Sequence, residues 1–230
     1  MIGFYDYTVV LTYISLACSI FGMTQAGDGR FRIAIACLAI SGFCDAFDGK
    51  IARTKKDRTD EEKMFGIELD SLCDVVCFGA FPAILCYVLG VRGILGMAAI
   101  IFYCICAVIR LAYFNVLEAN RQKMESGNNK YYHGLPVTSI SVILPVVFLT
   151  HFGLSEQIFR SLLWMMLIVV GFLFIYDFKV PKPNNIELWF LIIIAGIAVA
   201  VILLFSKYHF FHRPVLDRPP LHDMIRRWIN

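Results

Sequence analysis

Seven long apolar stretches, separated by short polar connections, constrain this chain more than any other feature. They run roughly over 7–23, 31–53, 66–89, 95–116, 137–152, 157–176 and 186–205. A helix that crosses a bilayer needs about 20 mostly apolar residues, fewer where flanking side chains reach the interface. Inside hydrocarbon every backbone amide must find its partner within the protein, which a helix achieves by itself. The fold class that follows is all-α, a multi-pass transmembrane helix bundle. Composition agrees, since 59% of the 230 residues are hydrophobic and the mean hydropathy is +0.69, well beyond a soluble domain. The net charge is only +3, so the chain carries no electrostatic footprint for nucleic acid.

Two of these stretches end in acid. The first carries Asp45 and Asp48, the second Asp70 and Asp74, so the four aspartates are spaced by 3, 22 and 4 residues. Positions three and four apart share a helix face, so each pair presents its carboxylates together. Four such groups at the ends of membrane-grade helices cannot all stay ionised and unpaired. A divalent cation, or two, is the simplest remedy, and hard oxygen ligands suit Mg²⁺ or Mn²⁺. Between the pairs stand Gly49, Ala52, Arg53 and Gly66. The small residues allow close helix packing or the approach of a flat ligand. A metal and an arginine beside a glycine-lined groove suit a pyrophosphate. A plain helix–helix contact with compensated charge is the alternative, and four acids at helical spacing with Gly, Ala and Arg between them argue against it.

The pattern Asp45-x2-Asp48-Gly49-x2-Ala52-Arg53…Gly66-x3-Asp70-x3-Asp74 resembles the signature of the CDP-alcohol phosphotransferase family. Twelve residues separate Arg53 from Gly66, a few more than the family's usual spacing. The expectation is that these extra residues, in 54–65, bulge outward and leave the site intact. A narrower resemblance, to the phosphatidylserine synthase branch, lies in the run from Phe65 to Ala83, in Arg110-Leu111-Ala112-x-Phe114-Asn115, and in Gly134-Leu135-Pro136. Tyr113 stands where that branch commonly has a second arginine, and Cys77 where it has a serine.

The resemblance implies a six-span core with a cytosol-facing polar cavity, two metal ions, commonly a homodimer, and a chain divided as follows. Residues 1–180 form the membrane domain, 181–206 an additional span, and 207–230 a basic tail. It implies transfer of a phosphatidyl group from CDP-diacylglycerol to an alcohol, with release of CMP. The branch points to L-serine as acceptor; glycerol 3-phosphate, inositol phosphate and choline are the rival acceptors. Carried over by position, Asp45, Asp48 and Asp70 are metal ligands. Asp74 lies close to metal and serves as general base. Gly49, Ala52 and Gly66 line the cytidine pocket, and Arg53 holds donor phosphate. A reading from another class, a cation transporter, would place its acids near the midplane on broken helices, not at span ends on one side.

Arg110 falls inside the stretch 95–116. An intramembrane arginine usually faces a polar cavity or a partner. It is the candidate handle for an acceptor carboxylate, with a donor phosphate or a structural ion pair as alternatives. Thr12 and Tyr13 are candidates for hydrogen bonds around the nucleotide. The connections after the second, fourth and sixth stretches hold more Lys and Arg than those opposite, which places them and the N-terminus in the cytosol. The acidic cluster then faces the cytosol from the cell membrane. With seven spans the basic tail falls outside, against that rule, and residues 221–229 read as a surface-lying helix. The eight cysteines are scattered through apolar stretches and read as small buried hydrophobes.

Overall fold

The computed structural model describes residues 3–123, 131–181 and 185–204. Its helices are α1 (Val10–Gly27), α2 (Phe31–Ala52), α3 (Asp60–Asp74), α4 (Phe81–Val88), α5 (Gly93–Lys123), α6 (Ile140–Leu149), α7 (Glu156–Ile175) and α8 (Asn185–Leu204). A π-helical turn, Val75–Ala80, joins α3 to α4 without a break, so the two form one rod. Short 3-10 turns precede α1 and flank α6 on both sides.

Each expected stretch thus corresponds to a helical rod. Four of them are long and apolar enough to cross a membrane: Tyr7–Gly27, Asp60–Val88, Gly93–Leu117 and Glu156–Ile175. Val137–Phe152 and Trp189–Leu204 are shorter apolar helices, and α2, although 22 residues long, carries Arg32, Asp45, Asp48 and Lys50. Outward faces stay apolar, as bundles that meet lipid require: Ile105 and Ile109 of α5, Phe172 of α7 and Ile197 of α8 are all at least half exposed. The core is built from large side chains of several rods, among them Phe78, Phe81, Tyr103, Leu144 and Leu163, all fully buried.

Small residues set how closely the rods meet. α1 packs along α2, and their contact holds a buried hydroxyl cluster. The Ser15 and Ser41 hydroxyls lie 2.7 Å apart, and Ser19 donates to Ser41 at 2.9 Å. In lipid such groups must satisfy one another across the helix interface. Gly42 of α2 faces α6 so closely that a Cβ would run into the Ser141 side chain.

Two features differ from the sequence expectation. α3 begins at Asp60, well before residue 66. Thr59 and Glu62 form a reciprocal capping box, and Asp60, Glu61 and Glu62 occupy the first turn, where acids favour the helix dipole. Residues 60–65 therefore extend a helix instead of bulging from a loop. The second feature is a two-stranded antiparallel ribbon, β1 (Tyr131–His133) with β2 (Lys179–Pro181). It ties the connection after α5 to the one after α7, so both lie at one end of the bundle. Among the described residues all eight cysteines are unpaired, and all are buried or half-buried, as expected. The tail 207–230, including 221–229, lies outside the described residues.

Candidate active site

The site is assembled by the end of α2, the whole of α3 and the start of α1. α2 runs toward the bundle end where α3 begins, so helical geometry stacks the acids in two layers. Asp48 and Asp70 form the layer nearer that end, and their carboxylates meet. One turn deeper, Asp45 meets Asp74. One carboxylate oxygen from each of Asp45, Asp70 and Asp74 lies within 4.8 Å of the others. Asp48 is held from α1, accepting from the Thr12 hydroxyl at 3.2 Å. Asp48 and Asp74 are only 9% exposed, and Asp70 Oδ1 is buried with no hydrogen-bond partner among the described residues.

An orphaned carboxylate oxygen inside a knot of four acids fits a cation better than it fits a helix contact. All the donors are carboxylate oxygens, the set that Mg²⁺ and Mn²⁺ favour. The residues present therefore fit a divalent ion, and Asp45, Asp70 and Asp74 lie close enough together to share one.

A cavity opens beside the shallow layer. It is lined by Thr8, Val9 and Thr12 from the N-terminal side, by Asp48, Gly49 and Ala52 from α2, and by Gly66, Ile67 and Asp70 from α3. Arg58 and Lys63 complete the wall. Gly49, Ala52 and Gly66 thus line one cavity. Arg53 is placed differently. It is exposed, it is not part of the wall, and its Nε donates to the Gly49 carbonyl at 2.9 Å. The outward bulge expected of 54–65 does not occur, because Arg58 and Lys63 from that stretch face the cavity. Sequence reasoning passed over both; the Thr59-x-x-Glu62 capping pattern was the signal that could have found them.

Three other tethers hold the site. The first comes from the chain's start: Asp6 accepts from Lys55 Nζ at 2.8 Å, Tyr7 and Thr54 hydroxyls lie 3.2 Å apart, and Phe4 meets Phe65 edge-on. Asp6 also accepts from the Thr8 backbone at 2.7 Å and from the Thr8 hydroxyl. The Lys55 ammonium and Thr8 beside Asp6 bring its carboxyl down to about 2. Second, the Asn115 amide of α5 accepts from Ser71 at 2.7 Å, beside Asp70, and reaches Glu68 at 3.5 Å. Third, the Tyr103 hydroxyl donates to the Phe78 carbonyl at 2.6 Å inside the π-helical turn. Arg110 is 5% exposed, and its Nε donates to the Leu135 carbonyl at 3.2 Å, next to the ribbon. Tyr13 is partly exposed on α1 and is not in the cavity wall.

The model of the CDP-alcohol phosphatidyltransferase family matches residues 7–175, which takes in every helix from α1 to α7. The chain belongs to this family. Curated members similar to it include a CDP-diacylglycerol–serine O-phosphatidyltransferase of Saccharomyces cerevisiae, 31% identical over 157 residues, covering 65% of this chain and 55% of the relative. An enzyme of the same name from Methanocaldococcus jannaschii is 33% identical over 158 residues, 68% of each chain. Another from Helicobacter pylori is 27% identical over 202 residues, 83% of this chain and 79% of the relative. The chain thus spans about half the length of the yeast relative and more of the other two. No solved structure matches the chain. Membership in the CDP-alcohol phosphatidyltransferase family accounts for the paired acids and for an integral membrane protein with an acidic cluster able to bind metal.

Proposed function

We propose that the protein transfers the phosphatidyl group of CDP-diacylglycerol to the hydroxyl of L-serine, releasing CMP and forming phosphatidylserine. The observation that carries this reading is the meeting of Asp45, Asp70 and Asp74 within 4.8 Å, beside a cavity walled by Gly49, Ala52 and Gly66. The names of the relatives support serine as the acceptor.

Asp45, Asp48, Asp70 and Asp74 would hold Mg²⁺ or Mn²⁺, two ions by analogy with the family. Bound there, the ions supply positive charge to the donor phosphates and to the departing CMP oxygen. The chain's own residues do the rest. Gly49, Ala52 and Gly66 leave room for the cytidine, and Arg53, one turn from Gly49 at the end of α2, is assigned to a donor phosphate by the family pattern. Asp74, in the deeper layer, takes the serine hydroxyl proton as that oxygen bonds to phosphorus and the bond to CMP breaks. Arg110 holds the serine carboxylate from α5 through a charge-assisted pair.

The membrane arrangement belongs to the same reading: seven spans, a six-span core within 1–180, a further span in 181–206, a homodimer, and a site open to the cytosol. Several contacts support common sidedness of the connections. Lys55, after α2, pairs with Asp6 at the chain's start, and the ribbon joins the connections after α5 and α7. The deciding experiment offers purified protein CDP-diacylglycerol with serine, glycerol 3-phosphate, inositol phosphate or choline. CMP release and lipid product are followed, with and without chelator. CMP release with serine alone is expected; release with another acceptor only, or full turnover in excess chelator, overturns the reading.

A further inference from the structure

Arg58 lies outside the paired-aspartate pattern, in the stretch that exceeds the usual spacing, yet its side chain is part of the cavity wall. Its position is determined from two sides. The Nη2 group donates to the Glu62 carbonyl at 2.9 Å, which turns the guanidinium onto the first turns of α3. There it lies over Gly66, where a Cβ would come within 2.6 Å of Nη2. A larger residue at 66 would make the guanidinium shift, so Gly66 makes room for an arginine as well as for a ligand.

The Nε of Arg58 is buried and has no hydrogen-bond partner among the described residues. A buried guanidinium donor left unpaired is costly, and such a group is kept where something else supplies the acceptor. Lys63 lines the same cavity, its ammonium held by Asp60 at 3.0 Å. The lining therefore combines the Arg58 guanidinium with the carboxylates of Asp48 and Asp70. A ligand that meets the guanidinium must carry concentrated negative charge, which the fork recognises through paired N–H donors, and a cation held by the carboxylates would favour the same charge.

We propose that Arg58 is a binding residue for the nucleotide phosphates of the donor, supplied by the connection between α2 and α3 and not by the aspartate pattern. This rests on the phosphotransfer reading above and adds a phosphate contact to it. The residue touches the donor and not the acceptor, so its loss raises the KM for CDP-diacylglycerol and leaves the KM for serine unchanged.

The test uses the full chain in detergent micelles with Mg²⁺. Binding of CDP is titrated directly, and cytidine is measured as its competitor, for the parent protein, R58Q and R58K. Losing a charge-assisted contact should weaken CDP by about ten- to hundredfold in R58Q while cytidine competes as before. R58K, which keeps the charge and loses the fork, should fall between the two and guards against a folding defect in R58Q. CDP affinity within about twofold of the parent in both variants overturns the proposal. An equal loss for CDP and cytidine also overturns it, since the contact would then be to base or sugar. A parent protein that binds no CDP overturns the phosphotransfer reading itself, an outcome distinct from the other two.

Discussion

The Tyr103 hydroxyl of α5 donates at 2.6 Å to the Phe78 carbonyl, in the π-helical turn that begins one residue after Asp74. π-helical turns widen the backbone ladder and recur at functional sites. Here the turn displaces the carbonyls that follow α3, and Tyr103 and Cys104 of α5 take up two of them, at Phe78 and Gly79. Tyr103→Phe keeps the packing and strands one buried carbonyl, a change worth about 1–3 kcal/mol. The variant should unfold at lower temperature. Because the turn sets the angle at which Asp74 leaves α3, kcat should fall while both KM values hold. A variant that loses stability but keeps kcat would limit Tyr103 to packing.

Asp74 should separate from its neighbours by the kind of defect it produces. Asp74→Asn retains shape and cannot accept the serine proton, and loss of a general base typically costs ~10² to 10⁴ in rate. Donor binding should stay within a few-fold. Asp45→Asn and Asp70→Asn should lose donor binding as well, because holding metal is their one proposed role, whereas Asp74, in the same converging set, is also the proposed base. Asp74 also meets Asp45, so the measurement pairs CDP-diacylglycerol binding with single-turnover rates across a metal titration. Rates restored by saturating metal would make Asp74 a ligand and move the base elsewhere.

Arg110→Ala should raise the KM for serine by about ten- to hundredfold and leave the donor KM alone. The side chain is buried and already donates through Nε to the Leu135 carbonyl, which orients the guanidinium from the backbone next to β1. Arg110→Lys should recover little, since one ammonium cannot serve carbonyl and carboxylate with the same geometry. An unchanged serine KM beside a raised donor KM would assign Arg110 to the phosphate.

The clasp between Asp6 and Lys55 should be insensitive to pH across the physiological range. Asp6 is lowered by Lys55 and Thr8 from 3.8 to about 2, so its contribution is complete above 3.8 and lost as pH falls toward 2. Lys55 is raised above 10.5 by Asp6 and Glu62, so its contribution is complete below 10.5 and lost at higher pH. The protection of amides 3–9 from hydrogen exchange, taken relative to the intrinsic base-catalysed rate at each pH, should therefore stay flat from roughly pH 5 to 9. Asp6→Asn should speed that exchange while global stability barely moves, because the pair is partly exposed and screened by solvent. A protection that changes steeply near neutral pH in the parent would show that another group holds the segment.

Much of the site was legible because helical periodicity needs no tertiary information. Once 31–53 and 66–89 are read as helices, Asp45 with Asp48 and Asp70 with Asp74 must share faces. Thr12, read from the sequence as a nucleotide contact, lies in the cavity lining with its hydroxyl on Asp48, a partner that the sequence reading did not name. Arg58 was not legible as a wall residue. Its placement depends on where α3 begins, and the capping box at Thr59 and Glu62 moves that start to Asp60. Arg53, inside the recognised pattern, turned back onto its own helix because the Gly49 carbonyl lies one turn away and accepts its Nε.

By itself the sequence determined that the chain is a helical membrane bundle with two acid pairs, since hydropathy and i,i+3/i+4 spacing are local properties of each segment. Only the tertiary structure decided how those pairs combine. It stacked Asp48 with Asp70 and Asp45 with Asp74 in two layers, since that depends on the antiparallel sense and depth of α2 against α3. It also bonded Tyr103 to the π-helical turn, joined β1 to β2, and brought Arg58 over Gly66. Each of these unites residues far apart in sequence or hinges on a single helix boundary, and their energies come from contacts that no one segment contains.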